Sequence, residues 1–517
     1  MDKNKELLDR YIKARYTIIG IVSPEESRVM AAITEVAKTM TLKDGKKASR
    51  LVAEWTFTQG LNGLEAAGEQ DLSDPIAVLE FIAKFDQEGK EPPVIFVLKD
   101  IHRIISQDLK SLRYLRDIAV RFETRKHSVI LLSPELNIPV DIEKQVAVID
   151  WSLPSTEELS NILQNAENNL KNVNITLNGK RENVVQALRG LTETEAGNVI
   201  LAGVVATGEL GEGILPHIIA EKKQIIRKSG ILEYYDTTVT MSEIGGNDKL
   251  KQYAAMARRA MTSEARDAGV DVPKGVILVG PPGTGKSLSA KAIAGGEFPL
   301  LRLDVGKLLG GGRVGEAEGN ITAALKVAEA VAPCVLWIDE IEKALADNGG
   351  ASDGGVMMRV LGSLLTWMQE TTAPVYTVAT ANSVTLRPEL LSRFDDVIFV
   401  DLPDGKSRAE ILKVHLAKRK VKSMKNMQEI INETWGFSGR EIEKVVKFAV
   451  KAAFFEGKPV SPKHLIDAAK GIVPTSLTKK AEIDAVRRWA TETQAIYAGR
   501  PLDTKPVITA SASQVEI

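Results

Sequence analysis

Eight residues, Gly280-Pro281-Pro282-Gly283-Thr284-Gly285-Lys286-Ser287, stand between the apolar run Gly275-Val-Ile-Leu-Val279 and a helix-forming stretch that opens at Leu288. A glycine, four residues and then Gly-Lys-Ser, set between a strand and a helix, leave the backbone little choice. N–H groups around Gly283 and Gly285 wrap a polyphosphate only where no Cβ intervenes, and the following helix turns its positive end toward the same anion. Lys286 is placed to reach the β and γ phosphates, and the Ser287 hydroxyl to take a place on Mg²⁺. The expectation is a nucleotide-binding α/β domain.

Strands buried on both faces of a parallel sheet read as short continuous apolar runs. Such runs come here in two series, beginning at Thr17, Ser49, Val94, Val129 and Val146, and again at Gly275, Leu300, Cys334, Val375 and Val397. Pro92-Pro-Val-Ile-Phe-Val-Leu-Lys99-Asp100 lies against Ala332-Pro-Cys-Val-Leu-Trp-Ile-Asp339-Glu340, and both series close on a Leu-Pro pair, Leu153-Pro154 and Leu402-Pro403. The spacing predicts one α/β layout used twice, as in a diverged duplication, each copy followed by a mostly helical segment, about 155–229 and 404–474. Ile483, Val486, Trp489, Ala490, Thr493, Ile496 and Tyr497 fall on one face of a further predicted helix, and residues 501–517 read as a loose tail.

Composition removes several classes. Across 517 residues, 67 Lys and Arg against 68 Asp and Glu give a net charge of -1, no global field for nucleic acid or an acidic membrane. The single cysteine, Cys334, permits no intramolecular disulfide and no multi-thiolate zinc site. The histidines, His102, His127, His217, His415 and His464, form no pair at helical spacing, so no histidine metal site is expected. The N-terminus mixes both charge signs without an apolar core, unlike a secretory signal. The best apolar stretch, Ala196 to Thr207, falls short of the ~20 residues a bilayer requires. A reducing compartment, cytoplasm or plastid stroma, is expected.

A second chemical element is Val335-Leu-Trp-Ile-Asp339-Glu340, an apolar run ending in two carboxylates. Asp339 can hold Mg²⁺ through water, and Glu340 is placed to polarise an attacking water as general base. Asn382 follows the run Val375 to Ala379, where a sheet would open beside the γ phosphate, and could orient the same water.

These segments, with Thr377-Val-Ala-Thr-Ala-Asn382-Ser and Ser392-Arg393-Phe394-Asp395, stand in the order and spacing of AAA ATPases, and Ile244-Gly245-Gly246 resembles the tripeptide that opens their nucleotide domain. More narrowly, the chain is similar to the conserved-reading-frame AAA ATPases of red-algal plastids and cyanobacteria, over nearly its whole length and most strongly from about 240 to 475. The resemblance implies an α/β fold with a P-loop AAA large domain at 231–403 and a helical lid at 404–475. Before them it implies a degenerate AAA-like α/β domain at 1–154 with its own helical subdomain at 155–230, and after them a helix and tail at 476–517. It further implies ATP and Mg²⁺ as cofactors and a homo-oligomeric ring, usually a hexamer, with nucleotide between protomers. Arg393 then matches the arginine finger that enters the neighbour's site, worth ~10³ to 10⁵ in rate.

The family pattern is not followed everywhere. A second arginine is common three residues before the finger; here the nearest is Arg387, six residues back. Protein-threading rings usually carry an aromatic after the second strand, whereas Lys307 to Glu316 has none, leaving Leu308, Leu309 and Arg313. Another glycine-rich loop follows at Asp347 to Gly355, and Gly439-Arg440 stands where many relatives have Gly-Ala, so Arg440 either touches phosphate or is a solvated helix residue. In the first half, Ser23-Pro-Glu25-Glu26 replaces the P-loop with two phosphate-repelling carboxylates, and Lys99-Asp100 replaces Asp339-Glu340. That domain is expected neither to bind nor to hydrolyse ATP, and to recognise a partner or brace the ring.

Three functions remain. An ATP-driven remodeller of protein complexes, with an unknown protein client met through the first domain, leads. A nucleotide-gated scaffold or regulator is favoured modestly by the absent pore aromatic. A nucleic-acid motor rests only on the basic run Lys418-Arg-Lys-Val-Lys422 with Lys425, usually a solvated lid edge. A GTPase is disfavoured by the lack of an Asn-Lys-x-Asp segment.

Overall fold

The computed structural model describes every residue except 1–2, 42–46, 69, 106–107, 137, 171–172, 178, 229, 297, 305–313, 345–352, 384–385, 422–423, 425–426 and 503–517. The pore-loop candidates Leu308, Leu309 and Arg313, most of the 347–355 loop, Lys422, Lys425 and the last fifteen residues therefore lie outside the described residues. The chain forms two compact units, Met1–Leu215 and Pro216–Ile517.

In the first unit six strands run in the order Gly60–Asn62, Leu51–Thr56, Val94–Lys99, Ser128–Ser133, Ile18–Val22 and Val146–Asp150. All neighbours are parallel except the short Gly60–Asn62, which folds back antiparallel on Leu51–Thr56. Alternate residues serve opposite faces, as the pleat dictates. Val94, Phe96 and Leu98 join the core under helices Pro75–Lys84 and Leu109–Phe122, while Ile95 and Val97 join the core under Lys3–Lys13 and Glu26–Ala37. Each such side chain, fully removed from water, contributes about 1.5–3 kcal/mol.

The second unit repeats the plan. Its sheet runs Leu232–Tyr235, Leu300–Leu303, Cys334–Ile338, Val375–Ala381, Gly275–Val279, Asp396–Phe399 and Ile496–Tyr497. Taken in chain order, the five strands foreseen in each series stand second, third, fourth, first, fifth in both sheets. The strand ends agree in detail too: Asp100 and Glu340, aligned above, are both non-glycine residues in the left-handed region, at φ 56° and 53°. Cys334 is buried in this sheet, and burial pushes its thiol up to about 12, which leaves it inert.

Three differences from the expected layout have local causes. The helix predicted through Tyr497 ends at Glu492; Gln494 turns left-handed, at φ 53°, and Ile496–Tyr497 then pairs parallel with Ile398 and Phe399. Ile483, Val486 and Ala490 are buried on that helix as foreseen, but Thr493 is exposed. An additional edge strand, Leu232–Tyr235, runs antiparallel to Leu300–Leu303. The helical segment of the first unit, Thr156–Asn169, Arg181–Leu188 and Glu193–Thr207, also contains a short parallel pair, Asn174–Ile175 with Glu209–Leu210. Among the described residues no helix is long and apolar enough to cross a membrane.

Candidate functional site

The P-loop occupies residues 280–285, between the end of its strand at Val279 and the start of helix Lys286–Ala294. Gly283 and Gly285 hold left-handed conformations, φ 81° and 97°, that bring successive N–H groups to one side. A Cβ on Gly280 would lie 2.1 Å from the Val400 carbonyl oxygen. Thr284 closes the turn by donating to the Pro281 carbonyl at 2.9 Å. The Lys286 ammonium, 5% exposed, donates to the carbonyls of Gly280 and Pro281 at 2.7 and 2.8 Å. Burial pulls it down to about 8, although Glu342, Asp339 and Glu340 each oppose that fall.

Ser287, the second residue of that helix, donates to Asp339 Oδ1 at 3.0 Å. The two side chains proposed for Mg²⁺ therefore meet. Thr380 Oγ1 donates to the same oxygen at 2.7 Å and accepts the Glu340 N–H at 3.0 Å, so one hydroxyl fixes both acids. The Glu340 carboxylate pairs with Lys343 and lies 3.3 Å from the Asn382 side-chain nitrogen. No group of three or more His, Cys, Asp or Glu among the described residues could hold a metal by itself. That fits a Mg²⁺ held by one hydroxyl, one carboxylate, waters and substrate phosphates, as this ion prefers, and the glycine cradle fits those phosphates.

A cavity of about 320 Å³ gathers Pro282, Gly283, Thr284, Gly285, Lys286, Ser287, Leu288, Asp339, Glu340 and Asn382 with Gly245, Gly439 and Arg440. Ile244, Ile411, Val414 and His415 form a further, lid-side part of its wall. Gly245 permits this wall, because a Cβ there would lie 2.6 Å from the Ile411 nitrogen. The Gly246 N–H donates to Glu410 at 2.8 Å, tying the same turn to helix Gly405–Lys418. Burial pulls the His415 imidazole below its ordinary value, against the raising effect of Glu443. The lid helix Gly439–Phe455 starts beside the P-loop, its Arg440 N–H donating to the Gly283 carbonyl at 3.1 Å under a Ser438–Glu441 capping box.

Ile411, Val414, His415, Thr380 and Glu342 were not foreseen as site residues. The first three occupy one face of a lid helix at i, i+3 and i+4, a spacing indistinguishable from ordinary core packing. Arg393 does not line the cavity of its own chain: it is exposed and directly precedes buried Phe394 and then Asp395, whose carboxylate accepts the N–H groups of Lys274 and Gly275 at 2.7 and 3.0 Å. Arg387 stands at the N-cap position of the short helix Pro388–Leu391, makes no side-chain capping bond there, and is exposed. Part of the basic run is already neutralised, Lys418 by Glu243 at 2.5 Å and Arg419 by Glu443 at 3.4 Å.

The corresponding place in the first unit is filled from within. Only residues 23–25 separate strand Ile18–Val22 from helix Glu26–Ala37, too short a turn to encircle a phosphate. Buried Glu25 accepts the N–H of Glu193 at 2.6 Å, at the start of a helix carrying the same kind of capping box, Thr192 with Glu195. Arg28 pairs with Glu25 at 2.9 Å and Glu158 at 2.7 Å and donates to the Ser152 carbonyl, while Lys99 pairs with Glu26 and Glu54. Replacing Arg28 by Met strands two largely enclosed carboxylates, and breaking such a pair costs ~3–5 kcal/mol. Calorimetry of the full chain should show one transition moved to lower temperature. For Glu158, burial acts upward, but hydrogen bonds from Ser155 and Arg28 prevail and its pKa is lowered. Its contribution is therefore present above the ordinary carboxylate range and lost as pH falls through the lowered value, so the gap between wild type and variant should narrow on acidification.

A phosphate-wrapping loop, facing a strand-end pair of acids beneath a helical lid, defines a P-loop nucleoside triphosphatase. Family models match residues 4–151 as the N-terminal domain and 156–229 as the second domain of SpoVK-like AAA ATPases, and 276–402 as the ATPase family associated with various cellular activities (AAA). An uncharacterized AAA domain-containing protein, ycf46, of Guillardia theta is 35% identical over 487 residues, 93% of this chain and 93% of its own length. A protein of the same description from Pyropia yezoensis is 34% identical over 486 residues, 93% of this chain and 96% of its own. The proteasome-activating nucleotidase of Saccharolobus islandicus is 33% identical over 275 residues, 51% of this chain and 70% of its own. The chain belongs to the AAA ATPase family and is an ATP-hydrolysing enzyme.

Proposed function

We propose that the chain is the subunit of a homo-oligomeric ring, of hexameric type, that uses ATP to remodel a protein complex. The observation that carries this reading is the cavity in which Lys286, the Ser287–Asp339 pair, Glu340 and Asn382 converge. The base of ATP occupies the part walled by Ile244, Ile411, Val414 and His415, and the triphosphate lies along Gly283, Thr284, Gly285 and Lys286. Ser287 and Asp339 would hold Mg²⁺, which would supply neutralisation of phosphate charge. Glu340 takes the proton of the attacking water, Asn382 orients that water, and Arg440 at the lid helix reaches the phosphates. Arg393, exposed and not among the residues lining its own cavity, serves the site of the next protomer. The named action of one relative, activating a proteasome, is an action on a protein assembly and supports a protein client. The first unit, its phosphate place filled by Glu25, is the client-facing or bracing part.

A nucleotide-gated regulator remains the second reading, favoured by the absence of any aromatic between Lys307 and Glu316. ATP hydrolysis per subunit, measured against protein concentration with Mg²⁺ and no client, tests the ring. The specific rate should climb and then saturate; a rate unchanged down to concentrations where the protein is monomeric would mean catalysis within one chain and would replace the motor by a switch.

A further inference from the structure

One carboxylate behind the cavity's lining holds Asn382 in place. Glu342 lies on the turn Ile341–Ala344, two residues beyond Glu340, and the turn is anchored by Ile341, 1% exposed. Its Oε1 accepts the backbone N–H of Asn382 at 2.9 Å and the Asn382 side-chain N–H at 3.2 Å. The remaining side-chain N–H of Asn382 points to Glu340 Oε1 at 3.3 Å. Only the amide nitrogen can face two carboxylates, so this pair of contacts sets which way the carboxamide is turned. The other oxygen, Glu342 Oε2, is buried with no hydrogen-bond partner. Stability alone does not favour such a group, since an unsatisfied buried acceptor costs free energy and a shape-matched apolar residue would avoid it.

The placement explains what is gained. Glu342 leaves the end of strand Cys334–Ile338, which also carries Asp339 and Glu340, and takes hold of the residue just past strand Val375–Ala381. Ala381 pairs with Val279 of the P-loop strand, and its carbonyl accepts the Gly280 N–H. Two bonds from one oxygen tie the strand end bearing the general base to the residue that orients water, next to the phosphate loop.

We propose that Glu342 is a positioning residue for hydrolysis: it fixes the carboxamide of Asn382 with one N–H turned toward Glu340, so that base and amide share one water. Glu342 acts through Asn382 and touches no substrate. This rests on the roles given to Glu340 and Asn382 under the proposed function, so the test separates the two claims.

The assembled full-length protein, at saturating protein concentration, is compared as wild type, Glu340→Gln, Asn382→Ala, Glu342→Ala, Glu342→Gln and the double variant Glu342→Ala with Asn382→Ala. Displacement of about an ångström at a reacting centre can cost ~10²-fold. Glu342→Ala should therefore lower kcat by about that factor with KM for ATP nearly unchanged. Glu342→Gln keeps an acceptor oxygen at Oε1 and should recover most of the rate, even if the alanine variant folds poorly. The double variant should be no slower than Asn382→Ala alone, because residues acting as one unit are not additive. Turnover persisting in Glu340→Gln overturns the site reading itself. If Glu340→Gln is inactive, then a wild-type rate in Glu342→Ala, a Glu342→Gln as slow as the alanine variant, or additive losses in the double variant each overturn the role of Glu342.

Discussion

Glu340→Gln should hold ATP and fail to turn it over. Glutamine keeps the length of the side chain and an oxygen within reach of Asn382, but it cannot accept a proton from water at neutral pH. General-base catalysis of this kind contributes ~10²–10⁴ in rate. The substitution leaves the framework alone: the N–H of residue 340 still donates to Thr380, and the lost partner is the largely exposed Lys343. An exposed pair of this sort contributes about 0–1 kcal/mol, so the protein should fold and assemble as before. Purified in ATP and Mg²⁺, the variant should carry intact ATP, identified by chromatography of the released nucleotide, while single-turnover phosphate release falls at least a hundredfold. Bound ADP together with a rate within tenfold of wild type would remove Glu340 from the role of base.

Arg393→Ala should cost more in rate and nothing in binding. A guanidinium brought to the developing γ-phosphate charge is worth ~10³–10⁵, whereas ATP affinity is set by a cavity that Arg393 of the same chain does not line. Folding should be spared as well, because the neighbouring anchors are Phe394, in the core, and Asp395, bonded to two backbone N–H groups. Mixing gives the sharper measurement. Arg393→Ala subunits retain Glu340, and Glu340→Gln subunits retain Arg393, so mixed assemblies of these two inactive proteins should recover part of the activity. Mixtures that stay inactive although subunits are seen to exchange would assign Arg393 to its own chain.

Much of this site could be read before any coordinates, and the reason is steric. The left-handed turns at Gly283 and Gly285 and the close approach of Gly280 to Val400 are written into residue type, because other side chains do not fit. The central parallel strands of each unit were equally legible, since burial on both faces demands unbroken apolar runs such as Val94–Lys99 and Cys334–Ile338. Edge strands carry no such demand. Gly60–Asn62, Leu232–Tyr235 and Ile496–Tyr497 are short and mixed in character, and Ile496–Tyr497 even continues the helical period of the segment before it. The lid-helix wall of the cavity was hidden for another reason: Ile411, Val414 and His415 differ from packing residues only in what they face. Glu342 and Thr380 were hidden likewise, as ordinary polar residues at strand ends whose value lies in contacts with residues about forty positions away.

The two units meet the start of a lid-type helix with an anion in different ways. In the second unit the cradle beside Gly439 calls for a dissociable phosphate, and a dissociable ligand stabilises by RT ln(1 + [L]/Kd), so that hold follows the supply of ATP. In the first, Glu25 is part of the chain, and its carboxylate stands at the Glu193 N–H whatever the medium contains. Mass action governs one clasp and has no purchase on the other. Starvation, or a rising share of ADP, should loosen the second unit while the first keeps its shape.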